Sequence, residues 1–271
     1  SLNWYDEAIS FVALYNRLKQ EYGASNFEGK NQFVLGSFIE PYQKSLNLCN
    51  NTVINAFKLC CEVGDLVYSN YSNILLIFHA LSAGKNLDEI KKNVKSALSF
   101  MSRMKISDFV NVAKFWDYLT QCLERPGFTK IKQLSLFEKN IINGKNKTEL
   151  SFFYSSLTQL HFLLGNFAEA VKSGNNHELY SEYNKGMISH LDGKFFYALS
   201  LLAILSQAPK SKYRHYLKKI KQLKAFIKKY ETWCPENFKA YSLLIDAEYM
   251  SLKKQNESVL ALYEQAIEAA L

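Results

Sequence analysis

Apolar residues recur at intervals of three and four positions along most of the chain, the spacing of one face of an α-helix. Glycine and proline are few, 11 and 4 in 271 residues, and alternating runs bounded by turn residues, the signature of strands, are scarce. The pattern therefore predicts an all-α protein of roughly a dozen helices. Helices joined by short turns are expected to pack as antiparallel neighbours.

Several residues predict where individual helices begin and end. Asp65 and Asn86 precede apolar helical patterns and are expected to cap the helices that follow them. Pro41 is expected to break a helix that begins near Asn31, because proline lacks the backbone N–H that the helix interior needs.

Glycine and asparagine clusters predict the breaks in the second part of the chain. The segment Gly174-Asn175-Asn176 is expected to separate two helices, and Gly193 to mark another break. Gly127–Gln133 is the expected linker between a helical-repeat half at residues 1–126 and a second helical half at residues 134–271.

One helix-turn-helix unit recurs, at Tyr154–Gly174 and again at Leu243–Ala266. Small residues where two helices meet, and the turn glycine Gly165 of the first copy, resemble the tetratricopeptide layout. The second copy has Lys254 at its turn where the repeat usually has glycine. The positions expected to pack each helix pair together are Tyr154, Leu157, Gly165, Ala170, Ala247, Val259, Tyr263 and Ala266. The expected fold is an α-solenoid of antiparallel helix pairs, a tetratricopeptide-like superhelix in which each pair packs on the next.

Composition narrows the cellular context. The longest apolar run, Ile74–Leu81, has eight residues and includes His79, so no transmembrane segment is predicted. Five cysteines without a C-x-x-C pair are typical of reduced, packed thiols in the cytoplasm. Neither an initiator methionine nor a cap on the last helix is present, which predicts a fragment of a larger protein.

Residue patterns for catalysis or metal binding are missing from the sequence. No G-x-x-x-x-G-K-[ST] loop occurs, so nucleotide binding is not expected. His177 and Glu178 begin like a zinc-binding H-E-x-x-H motif, but Ser181 occupies the position of the second histidine. The chain is therefore expected to be neither an enzyme nor dependent on a metal or cofactor.

The strongest charge feature is the segment Lys210–Tyr230, with nine cations and no acid in a chain of formal net charge +8. Its apolar residues recur at helical spacing, which predicts a helix with one buried and one basic face. The candidate partner-binding residues are Lys212, Arg214, Lys218, Lys219, Lys221 and Lys228. A solvated face, an acidic protein partner, nucleic acid and an anionic membrane are all compatible with this pattern. The scarcity of arginine weighs against specific nucleic-acid recognition.

Aromatic residues are abundant, with 17 tyrosines, 19 phenylalanines and three tryptophans. Most are expected in the core, since large rings fill the gaps between stacked helices. Some of the rings on helices of the N-terminal half would line a concave groove instead. The candidates are Tyr68, Tyr71, Phe78, Trp116 and Tyr118.

Four segments are similar to the helical region of large bacterial multidomain signalling ATPases. They are Glu62–Tyr71, Ala83–Met104, Gly165–Ala170 and Leu223–Ala270, and the likeness extends over residues 36–271. Those proteins combine a serine/threonine-kinase-like domain, a nucleotide-binding ATPase domain, a long tetratricopeptide-like region and often a sensor histidine kinase. The resemblance implies a protein or peptide partner and neighbouring domains in the same chain.

These observations predict a non-catalytic interaction or regulatory scaffold of a bacterial signalling protein. Two alternatives stay open: a domain that senses a small-molecule inducer and controls an attached ATPase or kinase, and an architectural spacer. A small molecule that raises the melting temperature would favour the inducer-sensing alternative.

Overall fold

The computed structural model describes residues 3–23, 26–125, 127, 131–252 and 256–270. These residues form thirteen α-helices and no β-strand, so the all-α prediction is confirmed. The helices are α1 Asn3–Tyr22, α2 Glu28–Val34, α3 Leu46–Glu62, α4 Leu66–Ser82, α5 Leu87–Met104, α6 Val110–Glu124, α7 Ile131–Gly144, α8 Lys147–Leu163, α9 Phe167–Tyr180, α10 Ile188–Leu205, α11 Lys210–Glu231, α12 Pro235–Ser251 and α13 Asn256–Ala270. Most helices pack against the next one along the chain.

The predicted caps of α4 and α5 are confirmed. The carboxylate of Asp65 accepts a hydrogen bond from the backbone N–H of Tyr68 at 3.2 Å. The amide oxygen of Asn86 accepts one from the N–H of Glu89 at 2.8 Å. Each contact satisfies a backbone donor that the first turn of a helix leaves without an internal partner.

The breaks predicted at Gly174-Asn175-Asn176 and at Gly193 are wrong, because α9 and α10 continue through them. A Cβ atom at position 174 would lie 2.3 Å from Cδ2 of Tyr197. A Cβ atom at position 193 would lie 2.4 Å from Cε1 of His177. Both glycines therefore serve the close approach of α9 and α10 and do not end a helix.

Two other predicted boundaries are shifted. The helix before Pro41 begins at Glu28 and not near Asn31, and it passes into a π-helical segment at Leu35–Ile39. Pro41 itself lies in a short 3₁₀ turn that follows. The predicted linker at residues 127–133 overlaps the start of α7 at residue 131, and its residues 128–130 are outside the described part of the chain.

The largest group of buried apolar residues joins the two predicted halves. It extends from Tyr42 through α4, α5, α6 and α8 to Phe238 on α12. The ring centroids of Tyr42 and Phe238 are 5.9 Å apart. Nearby, Nδ2 of Asn237 donates a hydrogen bond to the carbonyl oxygen of Pro41 at 2.7 Å. Residues almost 200 positions apart in sequence thus share one core.

Within the described ranges, α10 is the helix long and apolar enough to cross a membrane, with a mean hydropathy of 1.3 over 18 residues. The protein buries 78% of this helix. It packs against α4, α8, α9, α11 and α12. Burial between these five helices accounts for its apolar composition.

The repeat positions lie between neighbouring helices. In the pairs α8/α9 and α12/α13, the buried positions are Tyr154, Leu157, Ala170, Ala247, Val259 and Ala266. Gly165 adopts a positive φ of 74° in the turn after α8, which glycine reaches without steric cost. The hydroxyl of Tyr263 donates to Oε1 of Glu248 at 2.8 Å, which joins α13 to α12.

Candidate functional site

A cavity of about 350 Å³ lies between α2, α4, α8 and the segments that precede α6, α8 and α10. Its lining residues are Phe33, Val34, Phe38, Tyr68, Tyr71, Ile74, Leu75, Phe78, Phe109, Asn146, Thr148, Phe152, Tyr183 and Met187. None of them has a charged side chain at neutral pH. Both the size and the apolar lining are typical of small-molecule sites in proteins.

Helix α4 forms one wall of the cavity. Tyr71, Ile74, Leu75 and Phe78 recur at intervals of three and four, so they share one helical face. The cap at Asp65, three residues before Tyr68, fixes where α4 begins.

The π-helical segment after α2 forms a second wall. Its Phe38 and the Phe33 of α2 both line the cavity, with ring centroids 6.5 Å apart. A Cβ atom at Gly36 would lie 2.7 Å from Cγ2 of Val53, so this segment packs closely on α3. Local π-helical turns are frequent at functional sites, because the extra residue redirects side chains.

A third wall depends on a strained residue before α6. Phe109 has a φ of 66°, which is unusual for a bulky residue. Its backbone N–H donates a hydrogen bond to Oε1 of the buried Glu149 on α8. Burial raises the pKa of Glu149, and the hydrogen bond from Phe109 opposes that change. The contact holds the Phe109 ring against the rings of Tyr71 and Phe152, each 5.7 Å away.

A few polar groups complete the cavity. No described residue forms a hydrogen bond with the hydroxyl of Tyr68 or Tyr71. Burial, with a smaller contribution from the charge of Asp108, raises the pKa of Tyr71, so its hydroxyl keeps its proton. The Tyr183 hydroxyl accepts a hydrogen bond from Nζ of Lys147 at 2.9 Å. Two tyrosine hydroxyls are thus available as donors to a bound molecule.

Sequence reasoning identified only part of this cavity. Of the five candidate rings, those of Tyr68, Tyr71 and Phe78 line it. Trp116 and Tyr118 are buried in the core. The rings that sequence reasoning missed belong to Phe33, Phe38, Phe109, Phe152 and Tyr183. They come from separate segments, and no periodic pattern connects them.

The basic helix α11 has an exposed cationic face, but not with all the predicted members. Lys212, Arg214, Lys218, Lys221 and Lys228 are exposed. Lys219 lies outside this exposed face, because its side chain is only 23% exposed and forms an ion pair with Glu178. The side chain of Lys219 faces α9, where the Glu178 carboxylate lies.

Glu178 links three helices. Burial opposes its ionisation, but hydrogen bonds from Lys194 and Lys219 outweigh burial and lower its pKa to about 2. The Oε1 atom lies 2.6 Å from Nζ of Lys194. Because its pKa in the folded state is depressed, Glu178 stabilises the fold above pH ~4.5, and this contribution is lost as the pH falls towards 2.

We expect Glu178→Gln to lower the free energy of unfolding at neutral pH by about 1–2 kcal/mol, with allowance for partial solvent screening. The difference from the unmodified protein should shrink as the pH falls below about 4. Urea denaturation at a series of pH values measures this difference in the free energy of unfolding. The control is Glu169→Gln, since Glu169 forms an exposed pair with Lys172. Equal effects of the two changes at every pH would contradict this assignment.

The cysteines and histidines do not form a second site in the described part of the chain. Among the described side chains, no group of three or more His, Cys, Asp or Glu is placed to hold a metal ion. Four of the five cysteines are buried, and only Cys61 is exposed. Burial raises the pKa of Cys49 to about 12, with the charge of Glu40 adding to it. This thiol is therefore protonated and unreactive at neutral pH.

Comparison with known proteins gives no match. No family model matches the chain, and no curated protein or solved structure is significantly similar to it.

Proposed function

We propose that this protein is a non-catalytic binding module that takes up a small, neutral, largely apolar molecule in the aromatic cavity. The observation that supports this proposal is the cavity itself: eight aromatic rings surround about 350 Å³ without a charged lining group. An anionic ligand would lose its hydration against these rings, and no lining side chain is a cation that would compensate, which disfavours its binding.

The lining also indicates the shape of the ligand. The rings of Phe33, Phe109 and Phe152 offer faces and edges that favour an aromatic guest. Met187 adds a polarisable sulfur that also favours contact with a ring. The hydroxyls of Tyr68 and Tyr71 would donate to a ligand oxygen. We therefore infer a small aromatic molecule with at least one hydrogen-bond acceptor.

For the architecture, we propose that the helix pairs form a tetratricopeptide-like α-solenoid that curves until its two halves meet. The pairing of α8 with α9 and of α12 with α13 supports this arrangement. The contact between Tyr42 and Phe238 indicates where the halves meet. The cavity is lined by residues of both halves, so a ligand held there would bias the curvature of the whole array.

A role as an interaction scaffold is a second candidate, favoured by the exposed cations of α11. Ligand uptake and partner binding are compatible, since the cavity and α11 share no lining residue. The resemblance to signalling ATPases, and with it a relay to neighbouring domains, stays a prediction.

Ligand binding is testable by thermal denaturation with matched probes. Naphthol is neutral, and naphthoate has a similar ring system with a negative charge. At a concentration of about 100 Kd a ligand stabilises the folded state by about 2.7 kcal/mol, which corresponds to a rise in Tm of roughly 5–10 °C for a chain of this size. We expect this rise for naphthol or a related neutral aromatic with an acceptor oxygen, such as coumarin, and not for naphthoate.

A blocking variant ties the effect to the cavity. Val34 lines the cavity and is 45% exposed, so Val34→Trp should fill the entrance without disturbing the core. Ile54 on α3 is 40% exposed and does not line the cavity, so Ile54→Trp is the control. The rise in Tm should disappear in Val34→Trp and persist in Ile54→Trp. If no neutral aromatic raises Tm, or if both variants respond alike, the proposal is wrong.

A further inference from the structure

The cations of α11 fall into two groups. Lys219 and Lys224 face neighbouring helices, where Glu178 and Asp246 neutralise them. A second group is exposed and forms no ion pair with any described residue; its central members are Arg214, Lys218 and Lys221. Arg214, Lys218 and Lys221 lie at intervals of three and four, so this unneutralised charge is concentrated on one side of the helix.

The side of α11 that has the unneutralised cations also has apolar residues, which form the floor of a groove. A shallow depression is lined by Arg214, Leu217, Lys218, Lys221, Gln222 and Ala225, which we call the cationic groove. Its members recur at intervals of three and four, so they form one stripe along the helix. The mixed chemistry is suited to a helix with both acidic and apolar residues on one face.

The last helix of the same chain has such a face. Helix α13 has no cation, and Glu264 and Glu268 are exposed on it. Leu260 and Ile267 are 65% and 63% exposed. These four residues lie at positions i, i+4, i+7 and i+8 and form the acidic ridge. The opposite face of α13 is held by the buried Val259 and Ala266, so Leu260 and Ile267 point away from that packed face. Glu268 lies at the edge of the ridge, where it borders a groove between α12 and α13.

We propose that the acidic ridge of one copy docks into the cationic groove of a second copy. The apolar members of the ridge would cover the apolar floor of the groove, while its two carboxylates meet the unneutralised cations. Both partners are on the same chain, and the exposure of Leu260 and Ile267 indicates that the ridge is not docked within its own copy. The scarcity of arginine favours this acidic helix over nucleic acid as the occupant.

Sedimentation velocity over a series of protein concentrations tests the proposal. At low salt the mean mass should rise with concentration. In 1 M salt, where the screening length is about 3 Å, the protein should be largely monomeric. A monomer at every concentration in low salt would overturn the proposal, and so would association that salt does not weaken.

Charge reversal identifies the surfaces. Lys218→Glu with Lys221→Glu reverses the groove, and Glu264→Lys with Glu268→Lys reverses the ridge. Each double variant alone should be monomeric. An equimolar mixture of the two should associate again, because the unmodified ridge of the first then meets the unmodified groove of the second, and the two reversed surfaces also attract each other.

The matched control is Lys92→Glu with Lys95→Glu on α5, two exposed lysines that form no ion pair with a described residue. It changes the net charge as the groove variant does and should associate normally. All the changed side chains are exposed, and circular dichroism checks that each variant is folded. If the groove variant misfolds, the ridge variant and the salt series still test whether the ridge docks into the groove. Association unaffected by both reversals, or binding of mixed-sequence RNA or anionic vesicles with no self-association, would overturn the proposal.

Discussion

Trp116→Ala is expected to lower the free energy of unfolding by about 3–5 kcal/mol. The Trp116 side chain is fully buried, and its indole N–H donates to Oγ of Ser156 at 2.9 Å. Its ring contacts Phe78 edge to face, with centroids 4.5 Å apart. The change leaves a void and removes the hydrogen-bond partner of the buried Ser156 hydroxyl. It also removes a ring contact that supports Phe78 in the cavity wall. Urea denaturation measures the loss.

Leu163→Ala is the control for this change. Leu163 ends α8 with half of its side chain exposed, so its truncation should alter stability by less than about 0.5 kcal/mol. A loss of under about 1 kcal/mol for Trp116→Ala would show that Trp116 is not packed as described. In that case the wall around Phe78 would also need revision.

Gly193→Ala and Gly174→Ala are each expected to destabilise the protein by about 1–3 kcal/mol, through overpacking. The added methyl at position 193 meets the ring of His177, which is fully buried. The methyl at position 174 meets the ring of Tyr197 in the same way. Relief requires α9 and α10 to move apart, and the measured quantity is again the free energy of unfolding.

Gly144→Ala separates packing from helix propensity. Gly144 is the last residue of α7, and a Cβ atom there would meet nothing within 4 Å. Alanine is the better helix former, so this change should be neutral or stabilise by up to about 1 kcal/mol. If Gly193→Ala and Gly174→Ala also stabilise the protein, the close approach of α9 and α10 is wrong.

The helices themselves were predictable because their signals are local. Periodic apolar residues and the caps at Asp65 and Asn86 depend on a few neighbouring positions, and the structure confirms them. The predictions for Gly174 and Gly193 were wrong because the roles of these glycines depend on residues distant in sequence. A glycine that ends a helix and a glycine that admits a neighbouring side chain are identical in sequence. Only the positions of Tyr197 and His177 distinguish the two roles.

The cavity was predictable only along α4. The spacing of Tyr71 and Phe78 places them on one helical face, which the sequence displays. The opposite walls depend on a π-helical segment around Phe38 and on the positive φ of Phe109. Neither feature has a sequence signature. For Phe109 the reason is that its hydrogen bond joins it to Glu149, 40 positions away.

The basic segment shows a similar limit. Its helical spacing predicted a helix with one buried and one basic face, and Ile220, Leu223 and Ile227 are buried as expected. The sequence did not indicate that Lys219 and Lys224 would be neutralised, since their partners lie on α9 and α12. The number of cations in a helix thus overstates the charge available to a partner.

Uptake of a neutral aromatic molecule is tested most directly by methyl NMR during titration with naphthol. The methyl groups of Ile74, Leu75 and Met187 line the cavity and should shift in a saturable manner, because ring currents act over short distances. Those of Ile220 and Ile227, buried in a separate cluster of α9–α12, should not move. Saturable shifts confined to the first set are the predicted result. Cavity methyls that stay unchanged at saturating naphthol, or shifts confined to the second cluster, would contradict ligand binding in this cavity.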